Sequence, residues 1–183
     1  MKHKLLLYLC LATLTQCSKC KNDPAPADPA AQLPPATQTG ANTFGCLVNG
    51  QPLTPKGNTG SSNFDVVYNP GFRGGDLNIG AYRVGDGHRQ YFSISAAPVT
   101  STGVYSFTRP TGVCTATYTD IPGTPNGCSV ISSDQDVAYR SGFLEITKFD
   151  TRARIISGTF NFKLLQAGCD TLKSTQGRFD AKF

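Results

Sequence analysis

Ile156-Ser157-Gly158-Thr159-Phe160-Asn161-Phe162-Lys163-Leu164 decides the fold. Ile156, Gly158, Phe160, Phe162 and Leu164 alternate with Ser157, Thr159, Asn161 and Lys163, so an extended chain puts one set on an apolar face and the other on a polar face. The last segment repeats the pattern, with Phe179, Ala181 and Phe183 against Arg178, Asp180 and Lys182. Phe64, Val66 and Tyr68 make a third such face, Leu77, Ile79 and Ala81 a fourth, and Phe92, Ile94 and Ala96 a fifth. Shorter strands are expected at 44–48, 104–107, 114–118 and 143–149.

Turn clusters separate these runs: Asn49-Gly50, Asn69-Pro70-Gly71, Gly85-Asp86-Gly87, Pro122-Gly123 and Asn126-Gly127. Asn and Gly tolerate the positive φ that tight hairpins require. The segment from Asp150 to Arg154 has hairpin length between two strong strands. No window carries apolar residues at helical spacing for three turns. Composition agrees. The chain has 183 residues with 19 Gly, a single Met and a single Glu, a poor recipe for helices. The expected fold is all-β, a single antiparallel sandwich over residues 44–183, with a closed or partly open barrel as the alternative. About 140 residues suffice for a real core without staples.

The N-terminal residues read as an address. A basic head, Met1-Lys2-His3-Lys4, precedes the apolar run from Leu5 to Leu14, which is far short of the ~20 residues of a spanning helix. Leu14-Thr15-Gln16-Cys17 resembles a bacterial lipoprotein signal, in which a Leu stands three residues before a Cys that becomes diacylated; Gln16 departs from the small residue usual there. Cys17 is the expected lipidation site, residues 1–16 the signal peptide, and 17–43 a Pro/Ala-rich tether, extended and solvated. An ordinary secreted protein with a spare thiol is the alternative. Losing Lys2 and Lys4 leaves 15 basic against 12 acidic residues, about +3, too small and scattered for a nucleic-acid surface.

Of the seven cysteines, Cys10 leaves with the signal, Cys17 takes the lipid and Cys20 lies in the tether. Cys46, Cys114, Cys128 and Cys169 belong to the domain, and in an exported chain they read as two disulfides. Four cysteines allow three pairings. Cys114 with Cys128 would close a local loop, and Cys46 with Cys169 would join the two ends of the domain. No domain Cys has a His beside it, so no metal site is expected.

Chemistry is sparse. His88 is the one histidine left after the signal is removed, and no GxSxG elbow, Walker loop or dinucleotide fingerprint occurs, so neither a catalytic residue nor a cofactor is expected. Glu145 reads as an outward charge in mid-strand. Asp134 and Asp136 offer two carboxylates for a calcium site or an Asp-based hydrolase, but lack the glycine and final acid of an EF-hand loop. Tyr68, Tyr82, Tyr91, Tyr105, Tyr118 and Tyr139 offer a sugar-stacking platform, against which stands ordinary core and cross-strand packing. Asp170-Thr171-Leu172 resembles the short Asp-Thr-aliphatic sequon for O-glycosylation in the Bacteroidota, which would place a sugar on Thr171.

The segments Ser141-Gly142-Phe143-Leu144-Glu145-Ile146-Thr147-Lys148-Phe149-Asp150, Ile156-Ser157-Gly158-Thr159-Phe160-Asn161-Phe162 and Gly177-Arg178-Phe179-Asp180 are similar, in this order, to a family of Bacteroidota lipoproteins built on a domain of unknown function. The stretch from Gly40 to Gly50 resembles the start of their domain, and Gly103-Val104-Tyr105-Ser106-Phe107 a middle strand. The resemblance implies an exported, anchored, β-rich domain and carries no catalytic residues. The function expected is that of a non-enzymatic lipoprotein of the outer membrane or cell surface, held to the membrane through Cys17, with a protein or glycan partner. A lipocalin-like carrier of a small apolar ligand is the alternative, and a hydrolase a more distant one.

Overall fold

The computed structural model describes residues 28–183 apart from 58–59, 109, 111, 124–127 and 134–136, and apart from the side chains of 137 and 138. The signal peptide, Cys17, most of the tether, the Asn126-Gly127 turn, Asp134 and Asp136 therefore lie outside the described residues. The strands are β1 (Thr43–Val48), β2 (Gln51–Leu53), β3 (Phe64–Asn69), β4 (Asp76–Gly85), β5 (His88–Ala96), β6 (Gly103–Ser106), β7 (Cys114–Ile121), β8 (Val130–Ser132), β9 (Val137–Asp150), β10 (Ile155–Gln166) and β11 (Leu172–Lys182). They form two antiparallel sheets, of six strands in the order β2-β1-β11-β10-β9-β6 and of five in the order β3-β4-β5-β7-β8. No closed barrel is present, and the sandwich expectation holds.

Period two is the reason. Along β10, Ile156, Phe160, Phe162 and Leu164 are buried, and along β5 so are Phe92, Ile94 and Ala96. The two inner faces meet through aromatic rings. Phe92 lies 5.4 Å from Phe44, 5.6 Å from Phe160 and 5.7 Å from Phe162, centroid to centroid. Tyr68, Phe149 and Phe183 close one end, Tyr68 lying edge-on to both rings. Its hydroxyl donates to the Val99 carbonyl over 2.8 Å. Asn49-Gly50 and Asp86-Gly87 have positive φ at both positions, as the two-residue hairpins β1–β2 and β4–β5 require.

Gly177 stands opposite Phe160 in the β10–β11 pairing, and a Cβ there would overlap that ring. The missing side chain lets Phe160 lie flat over the strand. Gly177→Ala is expected to lower stability by about 2 kcal/mol in urea denaturation, because a core aromatic must leave its rotamer. A loss under about 0.5 kcal/mol would show that the ring adapts.

One expectation is corrected at the domain's N-terminal edge. The Pro/Ala-rich segment is not solvated as far as residue 43. Pro29–Gln32 forms a 3₁₀ turn capped by Asp28, whose carboxylate accepts from the Ala30 N–H over 2.9 Å. Beyond it, Leu33 is buried and Pro34 packs against Gly45. The chain then runs as a strap across the outer face of the six-stranded sheet, where Thr37, Thr39, Gly40 and Ala41 all donate to the Asp180 carboxylate.

Asp180 belongs to the polar, outward set of β11, and the same strap decides its surroundings. Its position on β11 does face outward, yet the strap covers it completely, at 0% exposure. Ser157, its cross-strand partner, donates to the same carboxylate over 2.7 Å. Burial would raise this carboxyl; the hydrogen bonds from Ser157, Thr37, Ala41 and Thr39 outweigh it and hold the group well below the ordinary carboxylate range.

The cysteine pairing is also corrected. Cys128 bonds to Cys169, with Cα atoms 5.7 Å apart, while Cys46 and Cys114 are free and buried. Register explains why neither expected bridge forms. The Asp120 N–H donates to the Ser129 carbonyl, which places Cys128 beside the far end of β7 from Cys114, a run of ~20 Å along a strand. Cys46 lies between Gly45 and Leu47, which pair with Arg178 and Thr175, while Cys169 lies before Leu172, where β11 begins. A disulfide needs Cα atoms within about 7 Å. Burial pushes the Cys46 and Cys114 thiols up to about 12, so both stay protonated and inert.

Candidate functional site

Beyond Ala81 the edge of β4 loses its β3 partner, because β3 begins at Phe64, which pairs with Ala81. The preceding segment takes over that edge. The Lys56 N–H donates to the Tyr82 carbonyl, the Val84 N–H to the Lys56 carbonyl, and the Tyr82 N–H to the Asn63 carbonyl. Ser61 is thereby brought beside the outward face of the five-stranded sheet. Between it and the ends of β5 and β7 lies an open groove of about 470 Å³, lined by Tyr82, Val84, Arg89, Tyr91, Thr119 and Ile121 together with Ser61 and Gln90.

Strand alternation puts most of these side chains outside. Phe92, Ile94, Ala116 and Tyr118 are buried on the inner face, so their neighbours Tyr91 and Thr119 face outward. Tyr82 and Tyr91 are cross-strand partners in the β4–β5 ladder, with ring centroids 4.5 Å apart and planes 30° from parallel. The Tyr91 ring also lies over Gly80. Burial and the neighbouring Tyr91 raise the Tyr82 phenol above its ordinary value, so it remains a hydrogen-bond donor at neutral pH. Of the six tyrosines, only this pair stacks outward among the described residues: Tyr68 closes the core, Tyr118 is buried, Tyr105 donates to the Ser101 carbonyl, and Tyr139 is exposed on β9 without a ring beside it.

Arg89 shares the outward face with Tyr91, two residues along β5, and is exposed. Among the described residues it makes no ion pair, whereas Arg83 is held by Asp86 at 2.8 Å and Arg73 lies near Asp76. Among the described residues, the groove lining therefore carries one positive charge and no negative one.

His88 is exposed beside the Gly85-Asp86-Gly87 turn, yet its ring has a partner. It opens β5 opposite Gly85, and its Nδ1 lies 2.7 Å from Asp120 Oδ1. Asp120 is nearly buried, and its other oxygen accepts from Gln90 at 3.1 Å and from the Tyr118 hydroxyl at 3.2 Å. Gln90 also donates to the Tyr118 oxygen over 2.9 Å. Burial first, and Asp120 next, push the Tyr118 phenol far up, so it stays protonated. This closed network fastens the inner ends of β5 and β7. An imidazole oriented by a carboxylate is two parts of a nucleophilic relay. The third is missing: among the described residues His88 makes no further hydrogen bond, to a hydroxyl or thiol or anything else.

The other candidates fall apart. Glu145 faces outward on β9 between buried Leu144 and Ile146, with Thr159 as its side-chain neighbour at 3.5 Å. Thr171 is half-buried beside exposed Asp170, in the connection between β10 and β11 next to the disulfide. No group of three metal-ligating side chains occurs among the described residues. Sequence reasoning named Tyr82 and Tyr91 only within a list of six. It passed over Arg89, Thr119 and Ile121, although the β5 and β7 alternation places all three on one face with Tyr91. No family model, no curated protein and no solved structure matches this chain.

Proposed function

We propose that the chain is an exported lipoprotein, anchored through Cys17, whose sandwich serves as a non-enzymatic recognition module with the groove of the five-stranded sheet as its binding site. The groove carries the reading. It combines an outward aromatic pair, hydroxyls and one cation without an ion pair among the described residues, on a rigid antiparallel sheet, with no acid–base pair among its lining residues. Its position adds support. The strap that leads back towards the N-terminus crosses the outer face of the six-stranded sheet, so the groove lies on the opposite face of the sandwich.

Export is supported by the Cys128–Cys169 disulfide, since such bonds persist in oxidising compartments. The basic head, short apolar run and Leu14-to-Cys17 spacing support the anchor. The likeness to the Bacteroidota lipoproteins agrees with both, and outer membrane or cell surface is the location proposed. Among the described residues no helix is long and apolar enough to cross a membrane.

Labelling with an alkynyl palmitate in a bacterial host tests the anchor. The wild type and Cys20→Ser are expected to take up label and sediment with membranes, while Cys17→Ser loses the label and is released. Label retained in Cys17→Ser would overturn the assignment.

A further inference from the structure

We propose that the groove binds a carboxylated polysaccharide, stacking a sugar ring on the Tyr82–Tyr91 pair and pairing the uronate carboxylate with Arg89. The inference rests on the recognition-module reading and names the ligand class of that site.

Three observations carry it. The first is the aromatic pair. Tyr82 remains 38% exposed, so the stack keeps ring surface open to a ligand. The C–H face of a pyranose packs on such a surface without demanding a deep pocket. The second is charge. Arg89 is the sole charged residue lining the groove and is unpaired among the described residues. A guanidinium recognises a carboxylate through paired N–H donors, a geometry that a neutral sugar leaves unused. Arg89 lies two strand residues from Tyr91, or ~6.6 Å, which places a carboxylate receptor within one sugar unit of the stacking rings. The third is what surrounds them. Thr119 lines the groove beside Tyr91, its ladder partner, and the outward face continues through Ser93 and Thr117, which pair with each other. This is a surface of small hydroxyls suited to hydrogen bonding along a chain of sugars.

A protein partner fits less well. A stable protein interface buries ~800 Å² per side around an apolar centre. Here the outward apolar side chains are scattered, with Tyr82, Val84 and Ile121 at one end, Val130 beside Thr119 and Val67 out on β3, and with Ser93, Ser95, Thr115 and Thr117 between them. The groove volume of about 470 Å³ falls within the ~300–1,000 Å³ of small-ligand sites.

Affinity electrophoresis of the full chain in detergent tests the proposal, through gels containing polygalacturonate, its fully methyl-esterified form or neutral galactan. Polygalacturonate is expected to retard the protein at least tenfold more strongly than the ester or galactan. Arg89→Gln should abolish that preference. Tyr82→Ala should weaken retardation on polygalacturonate about tenfold, and Tyr82→Leu, which keeps apolar bulk without a ring, should do the same if the alanine variant folds poorly. Arg152→Gln, in the exposed β9–β10 turn, should change nothing. Equal retardation by acid and ester, lost in Tyr82→Ala, would overturn the acidic class while leaving a glycan-binding groove. An Arg152→Gln effect as large as that of Arg89→Gln would overturn the site in favour of diffuse charge attraction. No retardation on any gel would overturn both the ligand class and the groove, and the palmitate label would still decide the anchor separately.

Discussion

Replacing Asp180 by alanine is expected to cost the folded chain about 3–5 kcal/mol and to detach the strap between Leu33 and Asn42 from the sheet. The carboxylate is fully buried and holds donors from two places. From the strap come the Gly40 N–H at 2.8 Å, the Thr39 N–H at 2.9 Å, the Ala41 N–H at 3.1 Å and the hydroxyls of Thr37 and Thr39; from β10 comes the Ser157 hydroxyl. Alanine strands these donors, several of them backbone groups. Asp180→Asn should also destabilise, because its amide –NH₂ meets N–H and O–H donors on whichever side it lies. Urea midpoints give the global loss. Hydrogen exchange at Gly40 and Ala41 isolates the strap, and protection there unchanged in Asp180→Ala would refute the account.

The same residue sets an acid limit. Its carboxyl lies below its ordinary value of 3.8 when folded. The stabilisation is therefore complete above that ordinary value, and it is lost progressively as pH falls below it towards the depressed folded one. Stability measured between pH 5 and pH 2 should drop more steeply in the wild type than in Asp180→Asn. Parallel curves would show that other carboxylates dominate the acid transition.

The architecture was legible because its signal is local. Alternation in β10, β11, β4 and β5 survives folding unchanged, and Asn49-Gly50 and Asp86-Gly87 turn where their chemistry says. Two strands went unseen. β2 contains Pro52 and is three residues long, tolerated because it lies at a sheet edge. β8, also three residues, follows Cys128 closely and shows no alternation of its own. The burial of Asp180 was hidden for a different reason. Its outward parity was right, but its burial depends on a strap joined to it across about 140 residues of sequence. The groove failed to announce itself for the same kind of reason. Tyr82 and Tyr91 become a pair only when the β4–β5 register sets them opposite each other, and Arg89 matters only because, among the described residues, no acid neutralises it.

The strap and the groove together explain why so plain a core carries so much outer detail. One sheet's outer face is spent on holding the N-terminal segment, through Pro34 over Gly45 and through Asp180. The opposite face keeps its rings and its cation exposed. A chain anchored at its N-terminus would emerge beside the first face, leaving the second free for a ligand. On this reading Asp180 is more than a stabiliser. Detaching the strap should lengthen the tether and loosen the domain's orientation without touching the groove.

The Cys128→Ser, Cys169→Ser double variant should lose up to about 4 kcal/mol, the other large effect expected. The bond spans 41 residues of sequence, and closing a loop of that length removes roughly that much chain entropy from the unfolded state in the simplest account. The bond also joins parts that pack weakly otherwise. Cys128 lies just before β8, the short outermost strand of the five-stranded sheet, and Cys169 lies in the turn between two long strands of the other sheet. Without the bond, β8 is held by its short ladder with Thr117, Tyr118 and Thr119, by the Thr117–Ser132 hydroxyl contact and by the buried Ile131. Local loss should therefore precede global unfolding, with early exchange at Val130 and Ile131 while β10 and β11 stay protected. Peptide mapping of the unreduced, alkylated chain should recover Cys128 linked to Cys169, with Cys46 and Cys114 alkylated only after unfolding. A Cys114–Cys128 or Cys46–Cys169 peptide would contradict the register described for β7 and β11. Reduction under native conditions should lower the urea midpoint of the wild type and leave that of the double variant unmoved, since the two remaining core thiols form no bond to break.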